Sequence, residues 1–497
     1  MRDRFSLNKA IIIFLSVLSV FTLNFQAFGK NDPTKPATVL QKKKDIANPL
    51  TALQVEDNVI KKGETLTLER CLNIALQNNP NIGLAENTTK IYQSRIGQAK
   101  AGYFPQLSVT SGYGRQNPIS LDQTSNQFSG SVAVNQLLYD FGKTHTQTKV
   151  SKLNLSSSKS DVENATVKIA FNLKQSYYSA LLAKINRDIF TQSINEYEKH
   201  LKQAKAFFEI GTKSKIDVTT AEVNLSNTKL SYIKANDAYK TAIANLNNAM
   251  GINEAPEYYV ADTVTFKRPE NLIAKNVKVT YKDNKSNGGT VLKSAIEKHS
   301  IISGLSFKKF DITLEEAIKR AFDNRPDLKS LIIKEDAANA SIKLAKTNYY
   351  PTLSGVASYG YGGQQFPLDN GWSFGANVNI PVFNGFLTKN QVNEAKANLD
   401  IAKSNIEILK QNVYLQVKQA YISLTEAEKS IPIAELIVKQ ADENFELANG
   451  RYTVGVGSSV ELNDAEISYN NAQLAYVQAF YDYNTAYIAL ENAMGVK

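Results

Sequence analysis

Apolar residues along this chain change period in a fixed order, and the whole order then repeats. Each copy reads helix, two strands, long helix, tight turn, helix. Residues 105–114 with 128–139, and 351–361 with 372–383, alternate with the period of strands. In the last of these Trp372, Phe374, Ala376, Val378, Ile380 and Val382 point one way and Ser373, Gly375, Asn377 and Asn379 the other. Its counterpart sets Phe128, Val132, Val134 and Leu138 against Ser129, Ser131 and Asn135. Residues 142–209 and 386–453 return to helical spacing, with Val162, Ile169, Leu173 and Ala180 marking one stripe.

The repetition is a duplication held in register. Thr67-Leu68-Glu69 aligns with Thr313-Leu314-Glu315, Pro80 with Pro326, and Tyr103 and Pro105 with Tyr349 and Pro351, all at an offset of 246. From about residue 134 the offset is 244 and holds through Gly211/Gly455 to Ala249-Met250-Gly251/Ala493-Met494-Gly495. The slip lies between Gly114 and Val134, as expected if that stretch contains an exposed loop tip, where insertions are best tolerated. Two long copies make a duplicated domain rather than a solenoid.

The chain therefore divides into residues 1–29, a tether at 30–66, a first repeat at 67–251, an insert at 252–312 and a second repeat at 313–497. Each long helix of 68 residues spans about 100 Å at 1.5 Å per residue, beyond ordinary globular helices. The return helices, 214–250 and 458–494, are shorter. Segment 214–250 laid end to end with 326–347 reaches about 89 Å, so short helices can flank each long one. Pro432 is expected to kink the second long helix. Pro256, Pro269 and the run Asn284 to Gly289 break helix, so the insert forms an equatorial side domain. An ordinary soluble coiled coil shares the helical pattern.

A soluble sandwich would share the strand pattern. The flanks favour a membrane barrel, because aromatic clusters (Tyr103, Phe104, Tyr139, Phe141, Tyr349, Tyr350, Phe383 and Phe386) sit at all four helix junctions, where they form a girdle at one lipid interface. Four strands leave open edges, and closed barrels begin near eight, so the chain must oligomerise.

Met1 to Gly29 has basic Arg2, Arg4 and Lys9, an apolar stretch from Ala10 to Leu23 and Ala27-Phe28-Gly29, and resembles a secretory signal peptide. That apolar stretch is short for a membrane anchor, which needs about 20 residues. The formal charge of +10 is mild for 497 residues and lacks interleaved aromatics, so nucleic acid is not a partner. Cys71, alone, forms no internal disulfide. His145, His200 and His299 are scattered and the acids lack a convergent set, which excludes an enzyme reading. No cofactor or metal is expected.

The Thr-Leu-Glu helix starts at Thr67 and Thr313, leading to Asn79-Pro80 and Arg325-Pro326, the Tyr-aromatic-Pro strand starts and the paired Ala-Met-Gly ends match a known pattern. The chain resembles the TolC-like outer membrane efflux (outer membrane factor) family over residues 65–497. Resemblance implies an α+β membrane protein: a homotrimer whose twelve strands form one outer membrane β-barrel, continued by a long periplasmic α-helical barrel. It implies a periplasmic adaptor (membrane fusion) protein and an inner membrane transporter as partners, and an exit duct for efflux or secretion as the function. A diffusion channel or a periplasmic scaffold is the alternative.

The turns ending the long helices concentrate the candidate residues. Gly211 and Gly455 suit the left-handed position after a helix C-terminus. Ser214 with Asp217, and Ser458 with Glu461, have capping-box spacing. Together with Thr212 and Ser459 these turns form the expected adaptor-docking surface. Glu461 and Asp464 share a helix face, so three protomers would ring a narrow mouth with six carboxylates able to bind cations. In the family, the tyrosine matching Tyr452 bonds an aspartate matching Asp217 on a neighbouring hairpin and latches the entrance. Gly457 stands where the family pattern has an arginine forming a second latch. Tyr452 as a plain packing aromatic is the competing reading.

Overall fold

The computed structural model describes residues 60–116, 125–261, 276–279, 291–294 and 310–496. The signal-like segment lies outside them, as do most of the tether and insert and the first strand loop. In chain order the elements are β1 (Thr65–Leu66), α1 (Leu68–Asn78), α2 (Pro80–Lys100), β2 (Gln106–Gln116), β3 (Ser125–Tyr139), α3 (Lys143–Glu209), α4 (Lys215–Met250) and β4 (Tyr259–Val260). There follow β5 (Asn276–Val279), β6 (Val291–Ser294), α5 (Leu314–Asn324), α6 (Pro326–Thr347), β7 (Thr352–Gly363), β8 (Asp369–Asn379), α7 (Leu387–Thr453) and α8 (Ser459–Ala493).

The repeat motifs are joints. Thr67 Oγ1 accepts from Arg70 N–H at 3.2 Å and Thr313 Oγ1 from Glu316 N–H at 3.3 Å, so both copies start with a capped helix. Pro80 and Pro326 then open α2 and α6, where a missing N–H costs nothing. The Ala-Met-Gly ends butt against these proline joints. Gly251 (φ +75°) and Gly495 (φ +73°) lie so close that a Cβ would come within 2.9 Å of the Asn79 and Arg325 Cα atoms respectively. The first joint is tied by Asn79 Nδ2 to Ala249 O at 3.2 Å and the second by Arg325 Nη1 to Ala493 O at 3.1 Å.

Each long helix carries its return helix along one part and short helices along another: α3 packs on α4, α2 and α6, and α7 on α8, α6 and α5. α7 continues through Pro432 as a single helix. One core gathers Leu173, Tyr177, Leu246 and Met250 with Cys71, and burial pushes the Cys71 thiol up to about 12. That core also takes Ile60 and Leu66, and β1 pairs in parallel with β4 through Leu66↔Val260. The tether reading for 30–66 is thus corrected at its end, because burying Ile60 and Leu66 orders the chain before the first repeat begins. A second core runs from Val413 to Tyr452 against Leu462 to Leu490.

The strands of both repeats join into one antiparallel sheet in the order β2-β3-β7-β8. Directly paired residues share a face. The registers Val109↔Val132↔Tyr359↔Trp372 and Leu107↔Val134↔Ala357↔Phe374 assemble a continuous apolar face. The other face carries Thr110 with Ser131 and Ser358 with Ser373, each hydroxyl pair at 2.8 Å. The apolar face is open: Val109, Trp372, Phe374 and Val378 are between 61 % and 81 % exposed. β8 ends at Asn379 rather than near 383, because Pro381 has no N–H for the ladder, and Gly385 and Phe386 then turn the chain with positive φ. Among the described residues no helix is long and apolar enough to cross a membrane.

Candidate functional site

Both long helices stop on the same turn. Gly211 (φ +73°) donates its N–H to Phe208 O at 3.0 Å, and Gly455 (φ +81°) to Tyr452 O at 3.0 Å. Thr212 N–H and Val456 N–H reach back to Phe207 O and Arg451 O at 2.9 and 3.1 Å. A side chain at either glycine would be forced into the left-handed region. Ile210, Ile216, Val454, Val456 and Val460 stand exposed around these turns, an apolar rim that sequence reasoning missed although Ile210 and Val454 directly precede the aligned glycines.

The return helices start differently in the two copies. Asp217 Oδ2 accepts from Ser214 N–H at 3.0 Å and from Ser214 Oγ at 2.8 Å, as the capping-box spacing anticipates. In the second copy Ser458 Oγ accepts from Glu461 N–H at 3.0 Å, but the Glu461 carboxylate turns away to Arg451 Nε at 2.9 Å. Half the box is lost because an arginine is a stronger partner than a backbone N–H. Asp464 remains exposed on the same face, so the carboxylate pair has one member already countered by a cation.

Between the two hairpins runs a polar seam. Ser459 Oγ donates to Asp217 Oδ1, Lys213 Nζ to Gly457 O at 2.8 Å, Gln203 Nε2 to Thr453 Oγ1 at 3.3 Å, and Ser193 Oγ to Asn470 Oδ1 at 2.9 Å. Beyond these, Leu181, Ile185, Ile189 and Val477 form an apolar patch. Tyr452 is 2 % exposed, meets Phe207 edge-on at 5.8 Å and lies 5.2 Å below the Lys213 ammonium. Burial and then the charge of Asp217 push its phenol up. The Ser459 hydroxyl bond, with the Ser214 bonds, holds the Asp217 carboxyl below its usual range.

The structure thus brings Asp217 and Tyr452 to one small cavity of about 30 Å³, but the hydrogen bonds of Asp217 go to Ser459 and Ser214. The bond expected from the Tyr452 phenol is not among them; the Ser459 hydroxyl bonds Asp217 Oδ1 instead. Gly457 is glycine for a steric reason: a Cβ there would lie 2.8 Å from Tyr452 N and 2.9 Å from Arg451 C. Its carbonyl instead receives Lys213, a cation on the other hairpin that sequence reasoning passed over.

At the strand–helix junctions, all eight aromatics of the expected girdle are exposed, with Phe141 stacked on Tyr350 across the repeats at 5.5 Å and Phe383 edge-on to Phe386 at 5.4 Å. A second cluster went unread: Tyr113, Phe128 and Phe366, with ring centroids 5.0 and 5.1 Å apart, at the other end of the strands.

The outer membrane efflux protein family matches residues 71–252 and 317–496, one block in each repeat. The probable efflux pump outer membrane protein TtgC of Pseudomonas putida is 21 % identical over 346 residues, which are 67 % of this chain and 63 % of TtgC. The outer membrane protein TolC of Vibrio cholerae is 25 % identical over 205 residues, covering 38 % of this chain and 47 % of TolC. The CmeC outer membrane channel of Campylobacter jejuni superposes with a TM-score of 0.68 at 19 % identity, covering 93 % of this chain and 94 % of that one. VceC of Vibrio cholerae gives 0.66 at 15 % identity, covering 86 % and 96 %. With both repeats matched, the chain belongs to the outer membrane efflux protein family and resides in the outer membrane.

Proposed function

We propose that this chain is one protomer of a trimeric exit duct, closing a twelve-stranded barrel in the outer membrane and docking through its hairpin tips with a periplasmic adaptor and an inner membrane transporter. The observation that carries the reading is the four-stranded sheet with one open apolar face and, among the described residues, two unpaired edges, β2 and β8. Such edges are not tolerated in lipid, and three copies joined edge to edge remove them. The helices reach about 100 Å beyond the sheet, a length without use in a diffusion channel and sufficient to meet a partner across the periplasm. Efflux appears in the names of relatives such as TtgC, which favours export over uptake. The apolar rim around Gly211 and Gly455 is the complementary surface for a partner's helical hairpin.

The tips are the aperture, held closed by the seam of Lys213, Asp217, Tyr452, Gly457 and Ser459. Mass measurement in detergent tests the assembly: a trimer is expected, and a monodisperse monomer sinks it. Tryptophan at Gly211 and Gly455 should abolish export while outer membrane insertion stays normal; export at normal levels would move docking elsewhere. In planar bilayers the unmodified protein should conduct weakly, and Tyr452→Phe with Asp217→Ala should raise conductance by dissolving the ties from Asp217 to Ser459 and Ser214.

A further inference from the structure

The seam holds one titratable pair that the duct reading leaves unused. His200 of α3 is 8 % exposed and Glu466 of α8 is 2 % exposed, and they face each other across the two hairpins with Nε2 3.5 Å from Oε2. The duplication shows that the fold does not demand this. Glu222, aligned with Glu466, stays on the surface 3.2 Å from Lys205, and the position aligned with His200 is Asn444. Only one of two equivalent glutamates has been buried, and a histidine has been placed opposite it.

Other charges nearby are already engaged. On the same helix Glu196 and Lys199 pair with each other at 3.2 Å. From α4, Asp217 reaches the shared cavity but is bound by Ser459 and Ser214. From α7 come Tyr452 and Phe445, the latter edge-on to the imidazole at 6.2 Å, and Tyr469 of α8 stacks on Phe445 at 5.6 Å. Tyr197 completes the cavity wall. The other polar contact across the seam at this level, Asn224 Nδ2 to Asn463 Oδ1, joins two neutral amides, so the titratable contact here is the one between His200 and Glu466.

We propose that His200 and Glu466 form a proton-operated fastener between the hairpins, tight when the pair holds one proton and loosened when acid adds a second, so that low pH opens the tips. One proton makes the pair neutral overall, as imidazole with carboxylic acid, the form in which the buried ring stays uncharged. A second leaves imidazolium beside carboxylic acid, a net charge in a site closed to solvent, which is costly. The sign follows from burial, which holds His200 below its ordinary 6.5; Glu196 and Lys199 act on it in opposite senses and more weakly. A parted seam exposes the imidazole and restores that ordinary value. The fastening is therefore complete above pH 6.5 and is lost as pH falls through the lowered value.

The proposal rests on the tips being the aperture, and the test separates the two. Full-length protein is compared at about pH 7.5 and about pH 5, the span where histidine titrates, by bilayer conductance and by hydrogen exchange of α3 and α8 corrected for intrinsic rate. Conductance should rise at the lower pH, in the sense that a lowered His200 requires. His200→Gln should flatten the response, while His145→Gln and Glu466→Gln keep it, since His200 still titrates in both. If His200→Gln fails to assemble, the double variant His200→Leu/Glu466→Met, an apolar pair of similar volume, should assemble and be flat in pH. A full pH response in either His200 variant overturns the proposal. Exchange that quickens in acid without any change in conductance upholds the fastener and counts against the tips as the aperture.

Discussion

The two hairpin tips share a backbone and differ in chemistry. Gly211 and Gly455 make the same turn, and Ser214 and Ser458 stand at the same place after it. Yet Phe208 is 43 % exposed where its counterpart Tyr452 is 2 % exposed, and Lys213 projects from the first tip where Gly457 leaves no room on the second. The first tip supplies a cation and a carboxylate, and the second supplies a carbonyl, a hydroxyl and a buried ring to receive them. One backbone turn thus occurs twice, and the differing side chains make the two ends complementary halves of a contact.

The comparison can be broken most forcefully at the aromatic position. Tyr452→Ala should cost about 3 to 5 kcal/mol of local stability, whereas Phe208→Ala should stay within about 1 kcal/mol, as read by hydrogen exchange across the seam. Equal losses would mean that the tips are not specialised. Next, Gly457→Ala should cost about 1 to 3 kcal/mol, because the new Cβ meets backbone rather than a flexible side chain. Lys213→Met keeps the aliphatic stem and should open the tips measurably less than Tyr452→Ala does; a channel indifferent to Lys213 would leave Gly457 O without a functional partner.

A smaller effect separates the two acids on α8. Asp464→Asn should weaken block by multivalent cations by a few-fold, about what one charge at a narrow mouth contributes. Arg451→Gln should strengthen block by uncovering Glu461, and an unchanged block in both variants would place the cation site elsewhere. The smallest concerns acid stability. The Asp217 pKa is depressed in the folded tip, so its stabilising bond is present above 3.8 and lost as pH falls through the lowered value. Asp217→Asn should remove that pH dependence from exchange at Ser214, a modest change because the carboxylate is largely solvated.

Much of this was legible because periodicity and turn chemistry are local. The long helices were expected at 142–209 and 386–453 and run Lys143–Glu209 and Leu387–Thr453, since neither contains a break stronger than Pro432. The strands were displaced by a few residues, most at the last one, where Pro381 decided the end. Burial of Ile60 and Leu66 escaped notice because a two-residue strand has no period to read. The site was half legible. Spacing marked Ser214, Asp217, Ser458 and Glu461 as caps, but not that Glu461 would leave its cap for Arg451, a residue of the preceding helix.

The sequence by itself determined the duplication, the element order, the glycine turns and the alternation that makes one sheet face apolar, because each depends on residues a few positions apart. The tertiary structure decided who meets whom across the hairpins: Lys213 with Gly457, Ser459 with Asp217 and His200 with Glu466. Those partners lie more than 240 residues apart. Their meeting is fixed by how two long helices pack and in what register, and a side chain's reach of a few ångströms is far too short for sequence spacing to foretell it.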